Sequence, residues 1–584
     1  MRARLTLRED AYYATVPDGV HILTNQGETS LSGSSVHEWI ERLVPLLDGR
    51  YSLDDITAAL SPQRRELVSS LLTALVQRGV VRQLGQDQPH GLTEAEVTDH
   101  APELGFLSYF RDSAAHAFEC YRNLRVTVLG SGAPAAAVRR ACLRSGVRAV
   151  DPATPLPAAD LETRVRSADV VIQVAGDPRD GAADLVASAC AQAGVPLAQA
   201  VFADGHAWLQ PACRVGSDGH GWPAGRRRLL ALTGAQPGPG PVTEPAVTLV
   251  AAQLVHDVFR YLTELRAPDR RPRLTRVCLD TLGTDQHDYL VHPLDVAAAG
   301  EDDEQFLERL AQLSATAPLT EEEFSRRAVT LMDSRLGIFG EISEGDLAQL
   351  PVHVTQTVVS DPVGLLGSGA PRPMVSGAGL DFETARYQAA LQALACYGSL
   401  MADSRLLLGD GSLARAAALA DGAVRLVAAT RAFPALREPA LPYRIPDGVA
   451  AGYSWDAAVT AGLLAHCRRL TIAAARGSSV PFPRIDLGTG PADEVLDYCA
   501  AMLGALGEPV EVYDVTGPWG VPTFACSLSG RTVAYGSALS APVALRDCLL
   551  QALLGWQARA NNQPGYAPAP VPDLPRACRG QHPP

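Results

Sequence analysis

Gly130-Ser131-Gly132 stands between the apolar run VTVL and the alanine-rich stretch AAAVRRACLRSG, and Asp151 follows about twenty residues later. A strand that turns on glycine into a helix offers unpaired backbone N–H groups to an anion. Such a turn could cradle a pyrophosphate, with Asp151 accepting from a ribose hydroxyl. The pattern is incomplete: Ala135 takes the place of its third glycine, and Pro134 intrudes in the first turn. It reads as a vestigial nucleotide turn kept as scaffold. Further on, Gly377-Ala378-Gly379 reads as a turn before a helix that opens with Glu383-Thr384-Ala385-Arg386. Pro568, Pro570 and Pro572 form a PxPxP run near the C-terminus, expected to be extended and disordered. Arg226-Arg227-Arg228 is expected to be a solvated helix start.

The elements that must position these residues fall into successive regions. Residues 1–85 carry short strands, YYATV, GVHIL and ETSLSG, separated by Asp18-Gly19 and Gln26-Gly27. Three helices follow. The first is capped by Ser34 or Ser35 and has Val36, Trp39, Ile40, Leu43 and Leu47 on its apolar face. The second starts at Ser52, with Asp55 at a capping spacing. The third starts at Ser61-Pro62, with Leu67, Leu71, Leu75 and Val76 on one side. A strand at Val80-Val81 closes a predicted winged helix. Residues 86–124 are expected to be a linker with one amphipathic piece. Residues 125–272 alternate strands with helices, which predicts a Rossmann-like parallel sheet. Residues 273–584 form an α+β region in which TRVCLDTL, VHVTQTVV and PVEVYDV alternate with three long Ala/Leu helices. The expected fold class is multidomain α/β and α+β.

At 584 residues the chain is too long for one core. Its net charge of -14 argues against a sequence-independent nucleic-acid binder. All 50 basic residues are Arg. There is no apolar run long enough to span a membrane and no signal-peptide core at the N-terminus. The 11 cysteines form no CxxC pair, so a cytoplasmic protein with free thiols is expected.

The middle region resembles the E1-like, ThiF-type adenylating domains in its glycine turn, its Asp-bearing second strand and ADVVIQVAGDP. That resemblance implies zinc-binding Cys pairs, basic residues for a triphosphate and a Mg-binding Asp. Here Cys213 stands alone, and Asp177 could mimic the metal Asp, although a lone loop acid is more often solvated. From residue 320 to 575 the chain resembles the YcaO family, whose members use ATP to activate a peptide amide for ring closure. Gly377–Gly379, the Glu383–Arg386 helix start and the PxPxP run carry this resemblance, though twelve residues follow the prolines here. It implies Mg-ATP held by Glu residues on three helices. The corresponding positions are Gln392, Ala395 and Cys396, then Ala465, then Gln551. Removing several carboxylates from one site should abolish metal affinity, so both regions are expected to be degenerate.

In their order the three parts resemble the ocin-ThiF-like, or F, proteins of azoline-forming (TOMM, thiopeptide) peptide biosynthesis. That resemblance implies a noncatalytic scaffold with no catalytic residue, metal or cofactor of its own. Its first unit would recognise the leader of a precursor peptide. A separate YcaO cyclodehydratase would use ATP and Mg to form the azolines. An azoline dehydrogenase and a second copy of the chain are further candidate partners. The expected binding mode is strand addition along the edge strand Glu28–Gly33, at Glu28, Thr29, Ser30 and Leu31. Leu71, Leu75 and Val76 would take apolar leader side chains, and Arg64, Arg65 or Arg78 would steer an acidic leader. The alternative is an enzyme in its own right, an ATP-dependent cyclodehydratase or an E1-like adenylating enzyme. A winged-helix transcription regulator is disfavoured by the acidic balance.

Overall fold

The computed structural model describes residues 3–579, except 9, 26, 34, 86, 154–157, 177–180, 215, 217–220, 235–237, 239–241, 266–270, 297–299, 438, 440 and 488–492. Gln26, Ser34 and Asp177 therefore lie outside the described residues.

The chain opens with β1 (Arg4–Leu7), β2 (Tyr12–Val16), β3 (Gly19–Thr24), β4 (Gly27–Ser32), α1 (Val36–Leu43), β5 (Asp48–Ser52), α2 (Leu53–Thr57), α3 (Pro62–Gln77) and β6 (Val81–Leu84). β2, β3 and β4 make an antiparallel sheet with β3 central, while β1 pairs with β5 and β6 in a second sheet. Ser52 and Asp55 cap α2 reciprocally, as their spacing predicts. α3 has apolar residues at two adjacent helical stripes, so periodicity alone cannot choose which one is buried. Packing on Val20 and Ile22 selects Val68, Leu72 and Leu75. Leu67 is rolled outward and left 46% exposed.

The expected linker is instead three packed helices, α4 (Glu94–Asp99), α5 (Ala101–Phe110) and α6 (Ala114–Arg122). Leu107, Phe118 and Tyr121 enter the core of the middle region. Next come β7 (Arg125–Leu129), α7 (Gly132–Arg144), β8 (Ala149–Ala153), α8 (Ala158–Arg166), β9 (Val170–Ala175), α9 (Ala182–Ala193), β10 (Pro196–Ala203), β11 (His206–Arg214), α10 (Trp222–Thr233), α11 (Glu244–Leu262), β12 (Arg273–Cys278) and β13 (Thr284–Asp288). They form one sheet in the order β13-β12-β11-β10-β9-β7-β8. The strands from β8 to β10 are parallel, and β11 to β13 add antiparallel. The sequence reading missed β11, because Pro211 argues against a central strand. The ladder with β10 breaks register opposite Pro211, where a missing N–H costs no bond. β12, which sequence assigned to the C-terminal region, belongs to this sheet, so the sheet overruns the boundary placed at residue 272.

The remainder holds α12 (Asp303–Ser314), α13 (Glu321–Val329), β14 (His353–Val358), β15 (Met374–Gly379), α14 (Phe382–Leu400), β16 (Leu413–Ala417), β17 (Val424–Ala428), α15 (Ala429–Ala432), α16 (Trp455–Arg476), β18 (Arg484–Ile485), α17 (Glu494–Ala505), β19 (Val510–Asp514), β20 (Thr523–Leu528), β21 (Arg531–Ser537) and α18 (Ala541–Ala560). Gly377 and Gly379 lie in strand β15 and not in a turn. A Cβ on Gly377 would stand 2.1 Å from the Ala385 carbonyl oxygen and the Ala389 nitrogen of α14. On Gly536 of β21 it would stand 2.2 Å from the Ala544 carbonyl oxygen and 2.4 Å from the Cys548 nitrogen of α18. Each glycine thus lets a hairpin lie directly on the helix that follows it, at the same spacing in both places.

The arginine run is a joint and not a solvated helix start. Arg228 is 1% exposed. Its guanidinium donates to the carbonyls of Leu290 (2.9 Å) and Val291 (3.1 Å) and to the Tyr397 hydroxyl (3.1 Å) of α14. Arg226 pairs with Asp184 and Arg227 with Asp295. Beside them His292 is fully buried; its Nδ1 accepts from the Leu294 N–H, which leaves Nε2–H to donate to the Pro362 carbonyl. Burial first, then the charges of Arg228 and Arg227, push its pKa down from 6.5 to about 3. Below pH 6.5 the unfolded chain takes up a proton that the folded ring refuses. Stability is therefore expected to fall as pH drops from 6.5 toward 3. Melting curves of the parent and His292→Gln between pH 7.5 and 5 test this: the parent should lose more on acidification than the variant.

Candidate peptide groove and C-terminal cleft

β4 pairs with β3 on one side and with no strand on the other among the described residues. Glu28 and Ser30 are exposed on it and Thr29 is half-buried. Arg78, at the C-terminal end of α3, donates to the Ser30 carbonyl (2.5 Å) and to the Thr29 hydroxyl (3.4 Å). The Ser30 carbonyl therefore faces away from β3, and its N–H, on the same side of the strand, does too. Leu67, Leu71, Ala74 and Arg78 share one helix face, at i, i+4, i+7 and i+11. Arg78 thus ties the C-terminal end of that face to the open edge. Two expected groove residues are core instead: Leu31 is 8% and Leu75 2% exposed. Arg65 is occupied with the carbonyls of Thr57 and Ala58. Arg64 is exposed in the first turn of α3, at the end away from Arg78.

At the glycine turn, Gly130 has φ +143° and a Cβ there would lie 2.5 Å from the Val174 carbonyl oxygen. Close approach of β7 to β9 alone accounts for this glycine. α7 begins at Gly132 with no side-chain cap, and Pro134 deletes one of its free N–H groups. Asp151 lies inside β8 and is paired with Arg164 of α8, which leaves it engaged where a ribose would need it.

The positions singled out on the three long helices differ in their surroundings. Gln392 is exposed on α14 and Ala395 is buried under it. Ala465 of α16 and Gln551 of α18 do meet, across a cleft of about 410 Å³. The proline run is ordered, contrary to the expectation of a disordered tail, and Pro568 to Pro572 form one wall of this cleft. The Pro572 carbonyl accepts from the Tyr535 hydroxyl (3.0 Å), and the Thr532 N–H donates to Asp573 (2.7 Å). Sequence reading missed the residues that give the cleft its charge, Arg468, Arg469 and Arg476 of α16. Their signal was three cations spaced along one apolar helix. Arg469 lies 3.8 Å from Asp447, and Arg468 lies 3.8 Å from Asp547, whose carboxyl burial pushes up. Among the described residues, no group of three His, Cys, Asp or Glu side chains could hold a metal.

A family model described as YcaO cyclodehydratase, ATP- and Mg2+-binding, matches residues 412–576. The match covers α16, α18 and the proline wall but not α14. No curated protein matches the chain. A solved structure, "Heterocyclase in complex with substrate and Cofactor", is similar at TM-score 0.68 and 15% identity, over 99% of this chain and 89% of that one. "Structure of the heterocyclase TruD" is similar at TM-score 0.61 and 14% identity, over 97% and 84%. At these identities the likeness is one of fold. The chain is a multidomain α/β protein with a mixed sheet and a YcaO-like C-terminal region. The metal-bound nucleotide in the family's description does not fit the donor set of this cleft. Magnesium needs carboxylate oxygens, whereas Ala465 and Gln551 bring none and the surrounding charge is mostly arginine. No helix is long and apolar enough to cross a membrane among the described residues.

Proposed function

We propose that this chain binds the leader of a ribosomal precursor peptide and presents it to a partner cyclodehydratase that forms azoline rings. The observation that carries the reading is the open β4 edge, with outward-facing Ser30 and Arg78 beside a stripe of Leu67, Leu71 and Ala74. An extended peptide can add there as a further strand, with backbone bonds for affinity and the stripe for selectivity. The unit is read as a winged-helix recognition element. The middle sheet, with its engaged Asp151, is read as a nucleotide fold kept for architecture. The YcaO match and the likeness in fold to heterocyclases support a setting in azoline formation. The missing carboxylates support the reading that a separate YcaO enzyme carries out the ATP and Mg chemistry. An azoline dehydrogenase and a second copy of the chain remain proposed partners.

The test uses the full chain and the precursor peptide encoded beside its gene. Titration of the labelled leader, followed by fluorescence anisotropy, should give a dissociation constant between nanomolar and micromolar. The chain alone, with peptide and Mg-ATP, should release no phosphate. Absence of leader binding would remove the presenting role. Peptide-dependent ATP turnover would instead establish the chain as a cyclodehydratase.

A further inference from the structure

The mismatch between the C-terminal cleft and a magnesium nucleotide points to a different ligand. Arg468 and Arg476 are eight residues apart on α16, about 12 Å along the helix axis, and Arg469 lies beside the first. Asp447 is the one carboxylate among the described lining residues, and it stands 3.8 Å from Arg469. The opposite wall is formed by Tyr535, Gln551 and the proline strap; Asp547, hydrogen-bonded to Gln551 and 3.8 Å from Arg468, adjoins it, and burial pushes its pKa up. With three arginines beside two carboxylates the site favours an anion over a divalent cation, and guanidinium forks match phosphate oxygens in shape. Its volume is that of a small-ligand site, and the spacing of its cations suits an elongated anion better than a single small one.

We infer that this cleft is a metal-independent site for an extended polyanion of the polyphosphate class, held by Arg468, Arg469 and Arg476. Magnesium opposes binding here, because it neutralises the charge that the arginines recognise. The proline strap is then a structural wall of the site, fixed through Tyr535 and Thr532. This inference does not depend on the peptide groove, which lies on another region of the chain.

The experiment titrates the full chain with sodium tripolyphosphate by calorimetry, in EDTA and then with excess Mg2+. Saturable binding is expected in EDTA, and it should weaken with Mg2+ and with rising salt. The double variant Arg468→Gln/Arg476→Gln should bind at least about tenfold more weakly, since charge-assisted bonds are lost at two points. Arg326→Gln, on an exposed face of α13, should bind like the parent. Circular dichroism and a melting curve show whether the double variant is folded. Three results overturn the inference: no binding in EDTA, binding that appears only with Mg2+, or a folded double variant that binds like the parent.

Discussion

Replacing Ser30 with proline should weaken leader binding by about 1–3 kcal/mol, roughly five- to 150-fold, while the chain stays folded. The Ser30 N–H faces away from β3, so its loss breaks no bond of the β3–β4 ladder. Proline is tolerated at such an edge position, and the preceding Thr29 is already extended in β4. An added strand, in contrast, loses a donor at the centre of its contact and meets the pyrrolidine ring. The His21–Ser30 side-chain bond (3.0 Å) also goes, but it is solvent-exposed and contributes little. Anisotropy with the labelled leader reads the affinity, and a melting curve within a degree or two of the parent excludes unfolding as the cause. Unchanged affinity in a folded Ser30→Pro chain would place the leader elsewhere.

Arg228→Ala should cost about 3–5 kcal/mol of stability. The side chain is buried, and its removal leaves the Leu290 and Val291 carbonyls and the Tyr397 hydroxyl without their donor. It also leaves a void the size of most of an arginine. Arg228→Lys should recover less than half of the loss, because an ammonium group cannot reach three divergent acceptors as the planar fork does. Denaturant midpoints of the three proteins give the comparison. A loss below about 1 kcal/mol would mean that water replaces the guanidinium at all three acceptors.

Much of the local structure was legible because its causes are local. Turn residues at Asp18-Gly19, the Ser52–Asp55 capping box and Pro62 at a helix start each act within a few residues. Strands β7 and β9 read correctly because both of their faces are buried, which makes them continuous apolar runs. Failures occurred where neighbours from distant sequence decide. On α3, Val20 and Ile22 chose between two equally apolar stripes, which moved Leu75 from groove to core. Asp151 met Arg164, and the tail prolines met Tyr535 and α16.

The sequence by itself determined many of the elements, among them most strands and the helices of residues 1–85 and β7 and β9, the absence of carboxylates at Ala465 and Gln551, and the edge-strand reading of Glu28–Gly33. These follow from residue type and short-range periodicity. Only the tertiary structure decided that Arg228 is a buried joint, that Arg78 reaches the outer edge of β4, and that Ala465, Gln551 and Pro568–Pro572 share a cleft lined by arginine. A charge is read from sequence, but whether it faces water, a carbonyl or another charge depends on residues tens of positions away or more.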